Sequence, residues 1–592
     1  MSPSSLLAAL CVLLVLRALP STSGSRLHLH TPKLKALTCR AKIVTSDVLG
    51  ERKAKRWLEV RTGFNERVLV LETKPGDFGG IRSGQEVEME GVWLSRGAGG
   101  WRAVSGFTSA QSSYTFVSTK IKAKKGGTKM AATAATVDTV QVAADRPIGE
   151  PHGGGMVAAA ATAPAPIPVK IVTNKIFSRS ISTIVIPLAG VNPDGTACTG
   201  TSLPKWDSAA VRRMVFQELS GANISVGTTF NKCSFKRSVL NITNSMVTEI
   251  VKLPCVGESW GVPWSFSKCD FDDFNGWADA ADAQLRASGL PLDKYPYRVY
   301  MLPPATCPFV GLGYVGCDFS YDCRSWISGD FWATPQVVVH EMSHNLFLGH
   351  AGAYTPDGSF DEYADSGCLM GYCCHDRCPN LPHSWQLGWQ TVKQLDELSL
   401  RAGQTVAFNI SAQDASPQSG LRLNASWARG GGDPVFVSFR RRSAGSPDKS
   451  LDLSLTGKVL VHTSPLANTF DAAFTTFRAA LSVGQTWTGV AGGTAKFVLK
   501  YRRSLGGGGS AEVTICRKSP NGLETKASCT AGLNYDCNGL IGTADTACRK
   551  LLGLRPRRRS LLADDPAGTW AAAAAASEQG QASQRAADCV GF

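Results

Sequence analysis

The stretch Val337-Val338-Val339-His340-Glu341-Met342-Ser343-His344 decides how this chain is read. On a helix, positions i and i+4 share a face, so His340 and His344 point the same way. Two neutral imidazoles at that separation can chelate one Zn²⁺, and the intervening Glu341 reaches a water beside the ion. His350 follows His344 at the spacing that offers a third imidazole after a tight chain reversal. Three histidines leave a fourth position open for water, whose pKa zinc lowers to about 7. Glu341 would then act as general base, taking a proton from that water and passing it to the leaving amine of a cleaved peptide. The bland alternative is a solvated helix with chance histidines. With 9 His in the whole chain, three at these offsets beside a glutamate argue against it.

Outward from this motif, residues 169–395 mix strand and helix signals and read as one α/β (α+β) domain. Ser182–Ile186 and Tyr297–Leu302 suit strands, while Ser208–Leu219, Ala278–Ala287 and Gln336–Phe347 suit helices. Residues 25–118 alternate short β-rich runs with Gly-rich turns, which predicts a small all-β domain in the place of a pro-domain. Residues 119–168 are rich in Lys, Ala, Gly, Thr and Pro and read as a linker open to proteolysis. Residues 396–516 return to short strands and predict a β-sandwich. Residues 517–592 read as a poorly packed, Cys-containing, low-complexity tail with a small cystine knot. The expectation is a multidomain protein.

A length of 592 residues accommodates about three to five units. With 43% hydrophobic and 18% charged residues, wholesale disorder is excluded. Eighteen cysteines point to an oxidising compartment. The apolar run Leu6–Leu16, followed by Ser21-Thr22-Ser23-Gly24, reads as a signal peptide over residues 1–24. No later run is long enough for a transmembrane segment. A secreted, extracellular protein is expected, with Asn-x-Ser/Thr glycosylation sites at Asn223, Asn241, Asn409 and Asn424. The net charge of +15 fits contact with an acidic polysaccharide. No nucleic-acid pattern of interleaved aromatics accompanies the arginine runs.

The sequence resembles the metzincin metalloendopeptidases, and within them the gametolysin family of cell-wall and matrix-degrading peptidases. The resemblance is carried by His340-Glu341-Met342-Ser343-His344-Asn345-Leu346-Phe347-Leu348-Gly349-His350, by Asp365-Ser366-Gly367-Cys368-Leu369-Met370-Gly371-Tyr372, and by Pro382-His383-Ser384-Trp385-Gln386-Leu387-Gly388-Trp389. It implies a zinc endopeptidase acting on hydroxyproline-rich wall or matrix glycoproteins. It also implies Met370 as the Met-turn residue below the metal, and Tyr372 as a group that stabilises the oxyanion. The metzincin pattern has Gly three residues after the second His, where this chain has Phe347. Gly349 is the residue that could take over the reversal. A mis-aimed His350 would leave a catalytically weak or inactive wall component, the main rival reading.

Other motifs carry less. Gly257-Glu258-Ser259-Trp260-Gly261 fits a serine-hydrolase elbow, but no helix signal follows, and Ser259 is expected in a loop. Gly311-Leu312-Gly313-Tyr314-Val315-Gly316 fits a dinucleotide fingerprint without its helix; a disulfide-pinned loop between Cys307 and Cys317 is the better account. Cys368, Cys373, Cys374, His375 and Cys378 suit a second zinc or, in this compartment, disulfides that brace the loop of Met370. Without Cys11 the cysteines are odd in number, and Cys39 could serve as an inhibitory thiol at the open zinc position.

Overall fold

The computed structural model describes residues 39–47, 51–61, 67–71, 86–97, 100–103, 114–123, 136–140, 169–174, 176, 178–216, 224–317, 322–428, 432–465, 472–491 and 495–554. The described residues fall in two compact units, a small one between 89 and 120 and a large one holding the rest. In the small unit, Leu94–Gly97 pairs antiparallel with Gly100–Ala103.

The large unit is mixed α/β. Its central strands Thr183–Gly190, Tyr297–Met301 and Cys323–Ile327 run parallel, and Gly311–Val315 runs antiparallel beside the last. Every residue of these four strands is buried, as expected of strands covered on both faces. Helices Ser208–Phe216, Val226–Cys233 and Phe271–Ala287 surround this sheet. The last starts earlier than its sequence signal because Phe271, Phe274 and Trp277, at helical spacing, are all buried in the core. Asp273 also accepts the Asp270 N–H at 2.9 Å, closing the first turn.

The helix Pro335–Asn345 carries the decisive motif and is buried along its whole length. Pro335 sits at its start, where a missing N–H costs nothing. Val337, Val338, Val339, Met342 and Leu346 join one apolar cluster, so packing overrides the poor helix propensity of the three valines. Near its other end Asn345 Nδ2 donates to the Tyr314 carbonyl at 2.8 Å and the Arg324 carbonyl at 3.2 Å, which fixes the helix against the sheet.

A second sheet runs in the order Phe360–Asp361, Ala351–Tyr354, Thr475–Leu481, Lys458–Thr463, Val435–Arg440, Gln418–Leu423, Thr391–Leu395, Val169–Thr173 and Thr136–Val140. It shares an apolar core with a four-stranded sheet of Thr405–Ser411, Ser510–Arg517, Ala495–Leu505 and Thr486–Ala491. Two sheets thus pack on one apolar core, and strand pairing crosses the boundary expected at 395/396. Thr391–Leu395 pairs parallel with Gln418–Leu423, and Ala351–Tyr354 pairs parallel with Thr475–Leu481, so backbone hydrogen bonds join both sides. The expected linker also contributes a strand, Thr136–Val140, paired with Val169–Thr173.

Two further readings change. Cys39–Asp47 pairs antiparallel with Gly311–Val315, so this part of the expected pro-domain extends the central sheet. Residues 517–554 of the expected tail carry helices Lys526–Ala531 and Thr546–Leu551, held by Cys516–Cys537 and Cys529–Cys548. Residues 555–592 lie outside the described residues.

Candidate metal centre

His340 and His344 project from the Pro335–Asn345 helix, and the chain returns His350 to meet them. One ring nitrogen from each of the three lies within 4.8 Å of the others, and His344 Nε2 is 3.1 Å from His350 Nε2. All three rings are buried. Each Nδ1 meets an acceptor: His340 the Leu369 carbonyl at 3.0 Å, His344 the Leu348 carbonyl at 2.8 Å, and His350 the Glu362 carboxylate at 3.2 Å. Those acceptors select the Nδ1–H tautomer, so all three Nε2 atoms carry lone pairs and face a common point. A cation held between three such ring nitrogens would be met by all of them. The residues fit a metal, and a donor set of neutral imidazoles suits zinc or another transition ion rather than calcium or magnesium.

The reversal that brings His350 home is held by Phe347, at φ 71°, and not by Gly349. Phe347 N–H donates to the His344 carbonyl at 2.9 Å and Leu348 N–H to the Ser343 carbonyl at 3.1 Å, the paired bonds of a helix C-terminal cap. A left-handed Phe costs about 1–2 kcal/mol. Its ring offsets that cost by packing over Gly316, where a Cβ would fall 2.4 Å from the ring. Gly349 is needed for a different reason: a Cβ there would lie 2.7 Å from the Ala473 carbonyl oxygen.

Glu341 shares the helix and is buried. Its carboxylate lies over the strand Gly311–Val315, where a Cβ at Gly311 would stand 2.2 Å from Oε1 and one at Gly313 3.1 Å from Oε2. The Gly-x-Gly signal is thus a strand cleared for a carboxylate, not a loop. Its flanking cysteines also pair elsewhere, Cys307 with Cys269 and Cys317 with Cys323.

Met370 is buried in the core with Met342 and Leu348, and its carbonyl accepts the Ala351 N–H at 2.9 Å. The neighbouring Leu369 carbonyl receives both His340 Nδ1 and Gln336 Nε2, so this loop touches the first ligand directly. Tyr372 donates its hydroxyl to Asp361 Oδ2 at 2.7 Å. Of the nearby cysteines, Cys378 pairs with Cys233 and Cys373 with Cys374. Cys368 is a buried free thiol, pushed up to about 12 by burial and the Asp365 charge. Crosslinks and packing occupy this cluster in place of a second zinc.

Cys39 begins the strand Cys39–Asp47, and its side chain lies outside the described residues. Asn409 is exposed, Asn241 and Asn424 are half-buried, and Asn223 lies outside the described residues. Ser259 sits in the hairpin strand Val256–Ser259, not in a loop, with its Oγ 2.6 Å from Asp279 Oδ2. Residues absent from the motif reading also shape the site. Tyr363 and Phe474 flank His350 with ring centroids at 4.4 and 6.3 Å, and Glu362 holds its Nδ1.

Three converging imidazoles on and just after a buried helix, with a glutamate between the first two, form a group that could hold a metal ion. Residues 196–483 match the family of gametolysin peptidase M11, and the resemblance carried by the motif is to gametolysin-type peptidases. The chain is also similar to an autolysin of Chlamydomonas reinhardtii, 25% identical over 410 residues, covering 54% of this chain and 62% of the autolysin. It therefore spans less than two thirds of that relative's length. Among the described residues, no helix is long and apolar enough to cross a membrane.

Proposed function

We propose that this chain is a secreted, zinc-dependent endopeptidase that hydrolyses proteins of the cell wall or extracellular matrix. The observation that carries this reading is the convergence of His340, His344 and His350 with their tautomers fixed by three separate acceptors. The gametolysin match supports peptide-bond hydrolysis, and similarity to a protein named autolysin supports a lytic role. The wall or matrix glycoprotein substrate rests on that kinship.

A bound zinc ion would polarise the scissile carbonyl and acidify water at the open position. The chain's own residues supply the rest. Glu341, held against Gly311 and Gly313, takes the proton of the attacking water on its carboxylate and delivers it to the departing amine nitrogen. Burial of the site excludes competing water and strengthens these electrostatic effects. Tyr372 is the proposed oxyanion donor, for which its hydroxyl would have to leave Asp361. The reading of an inactive wall component leaned on Phe347 and loses that support, because the left-handed Phe347 still returns His350 to the cluster.

The test is purification of the secreted chain, metal analysis, and digestion of a hydroxyproline-rich wall extract. Cleavage should stop with 1,10-phenanthroline, return with Zn²⁺ and ignore fluorophosphonate. Glu341→Gln should keep its metal and lose at least about a thousandfold in kcat. Full activity in that variant, or a metal-free active protein, overturns the proposal.

A further inference from the structure

Glu362 stands at a junction that the metal motif does not predict. Its side chain is 5% exposed, which is rare for a glutamate without partners. One oxygen, Oε2, takes the His350 Nδ1–H at 3.2 Å, the Arg56 guanidinium and the Ala54 N–H at 3.4 Å. Its own backbone N–H donates to the Arg52 carbonyl at 3.0 Å. Arg56 lies over the Phe474 ring at 4.8 Å, and that ring stacks near His350. Residues 52–56 precede or begin the strand Lys55–Arg61, which pairs with Cys39–Asp47 and through it with Gly311–Val315. A segment nearly three hundred residues before the metal motif therefore grips the carboxylate behind the third ligand.

The other two ligands are oriented by neutral backbone carbonyls, fixed by the local fold. His350 instead meets an ionic side chain, and that side chain is itself placed by a distant part of the chain. We infer that Glu362 is a positioning residue for His350, and that Arg56 of the N-terminal hairpin braces it, so the metal centre is completed by a segment outside the residues that match the peptidase family. This rests on the metal reading given above. A carboxylate on the far side of a ligating imidazole fixes the ring and raises the basicity of its Nε2; losing such partners costs about 10- to 100-fold in metal affinity.

The test measures zinc affinity of the full-length chain, by competition with a chelating dye, independently of peptidase activity. Glu362→Ala should weaken zinc binding about 10- to 100-fold, with the unfolding midpoint of the chelator-treated protein little changed. Glu362→Gln keeps an acceptor for His350 and should recover part of that loss. Arg56→Met should weaken binding by a smaller factor, since the carboxylate remains but its brace is gone. Wild-type affinity in Glu362→Ala overturns the inference while leaving the metal reading intact. If Glu362→Ala fails to fold, wild-type affinity in Glu362→Gln together with Arg56→Met overturns it. Absence of zinc binding by the wild-type chain sinks the metal reading itself.

Discussion

Gly311 lies directly beneath the carboxylate of Glu341: a Cβ built on it falls 2.2 Å from Oε1. The strand Gly311–Val315 is buried and bonded on both edges, so it cannot step aside for a methyl group. The glutamate would have to move instead. Because its base function depends on position, Gly311→Ala should reduce kcat at least about a hundredfold, with zinc content unchanged. Measuring kcat and bound metal on the same preparation checks this, and normal turnover would show that Glu341 has more freedom than its packing allows.

Phe347 sets two effects against each other. Replacement by Gly removes a left-handed side chain and should return about 1 kcal/mol. It also deletes a buried ring, for which truncation costs about 3–5 kcal/mol. The packing loss is larger, so Phe347→Gly should destabilise the protein by about 2–4 kcal/mol despite restoring the residue usual at this turn. Denaturant unfolding of the two proteins decides the sign.

Cys233–Cys378 closes a span of 145 residues and ties the helix Val226–Cys233 to the loop before Asn380. Constraint of the unfolded chain at that separation is worth about 3–5 kcal/mol. The Cys378 carbonyl also accepts the Leu369 N–H at 3.3 Å, and Leu369 in turn orients His340. The Cys233→Ser/Cys378→Ser double variant should lose that stability and bind zinc more weakly. Thermal unfolding and dye competition measure the two effects separately.

The readability of the site divides along one line. His340, Glu341 and His344 are legible because a helix converts fixed spacing into a shared face, whatever the rest of the protein does. Glu362 leaves no such mark: its role depends on the chain returning through Ala351–Tyr354 and Phe360–Asp361, and on an arginine three hundred residues upstream. The strand Gly311–Val315 looks like a loop because its glycines weaken any strand signal, and their reason is a carboxylate from another element. At Phe347 the expectation fails differently. The backbone demand is correctly placed, but the choice of residue follows packing over Gly316, which local propensity does not contain. Likewise the domain boundary near 395 is blurred by strand pairing between distant segments, which leaves no compositional trace.

Asp365, buried below the Met370 loop, makes the fold sensitive to acid. Burial pushes its carboxyl up, but the His462 ring, the Asn380 amide and the Gly367 N–H outweigh this and bring it down to about 2, below an ordinary value of 3.8. His462 Nε2 lies 3.1 Å from Oδ2, Asn380 Nδ2 2.9 Å from the same oxygen, and Gly367 N 2.9 Å from Oδ1. The folded state therefore holds this proton less readily than the unfolded chain. Its contribution is complete above about pH 4 and is lost as pH falls toward 2. At about 1.4 kcal/mol per pH unit of difference, that contribution is about 2 kcal/mol. Asp365→Asn should be less stable than wild type at neutral pH and should show a shallower loss of stability between pH 4 and 2. Urea unfolding across that range tests the sign. Parallel curves for the two proteins would assign the acid sensitivity to other carboxylates.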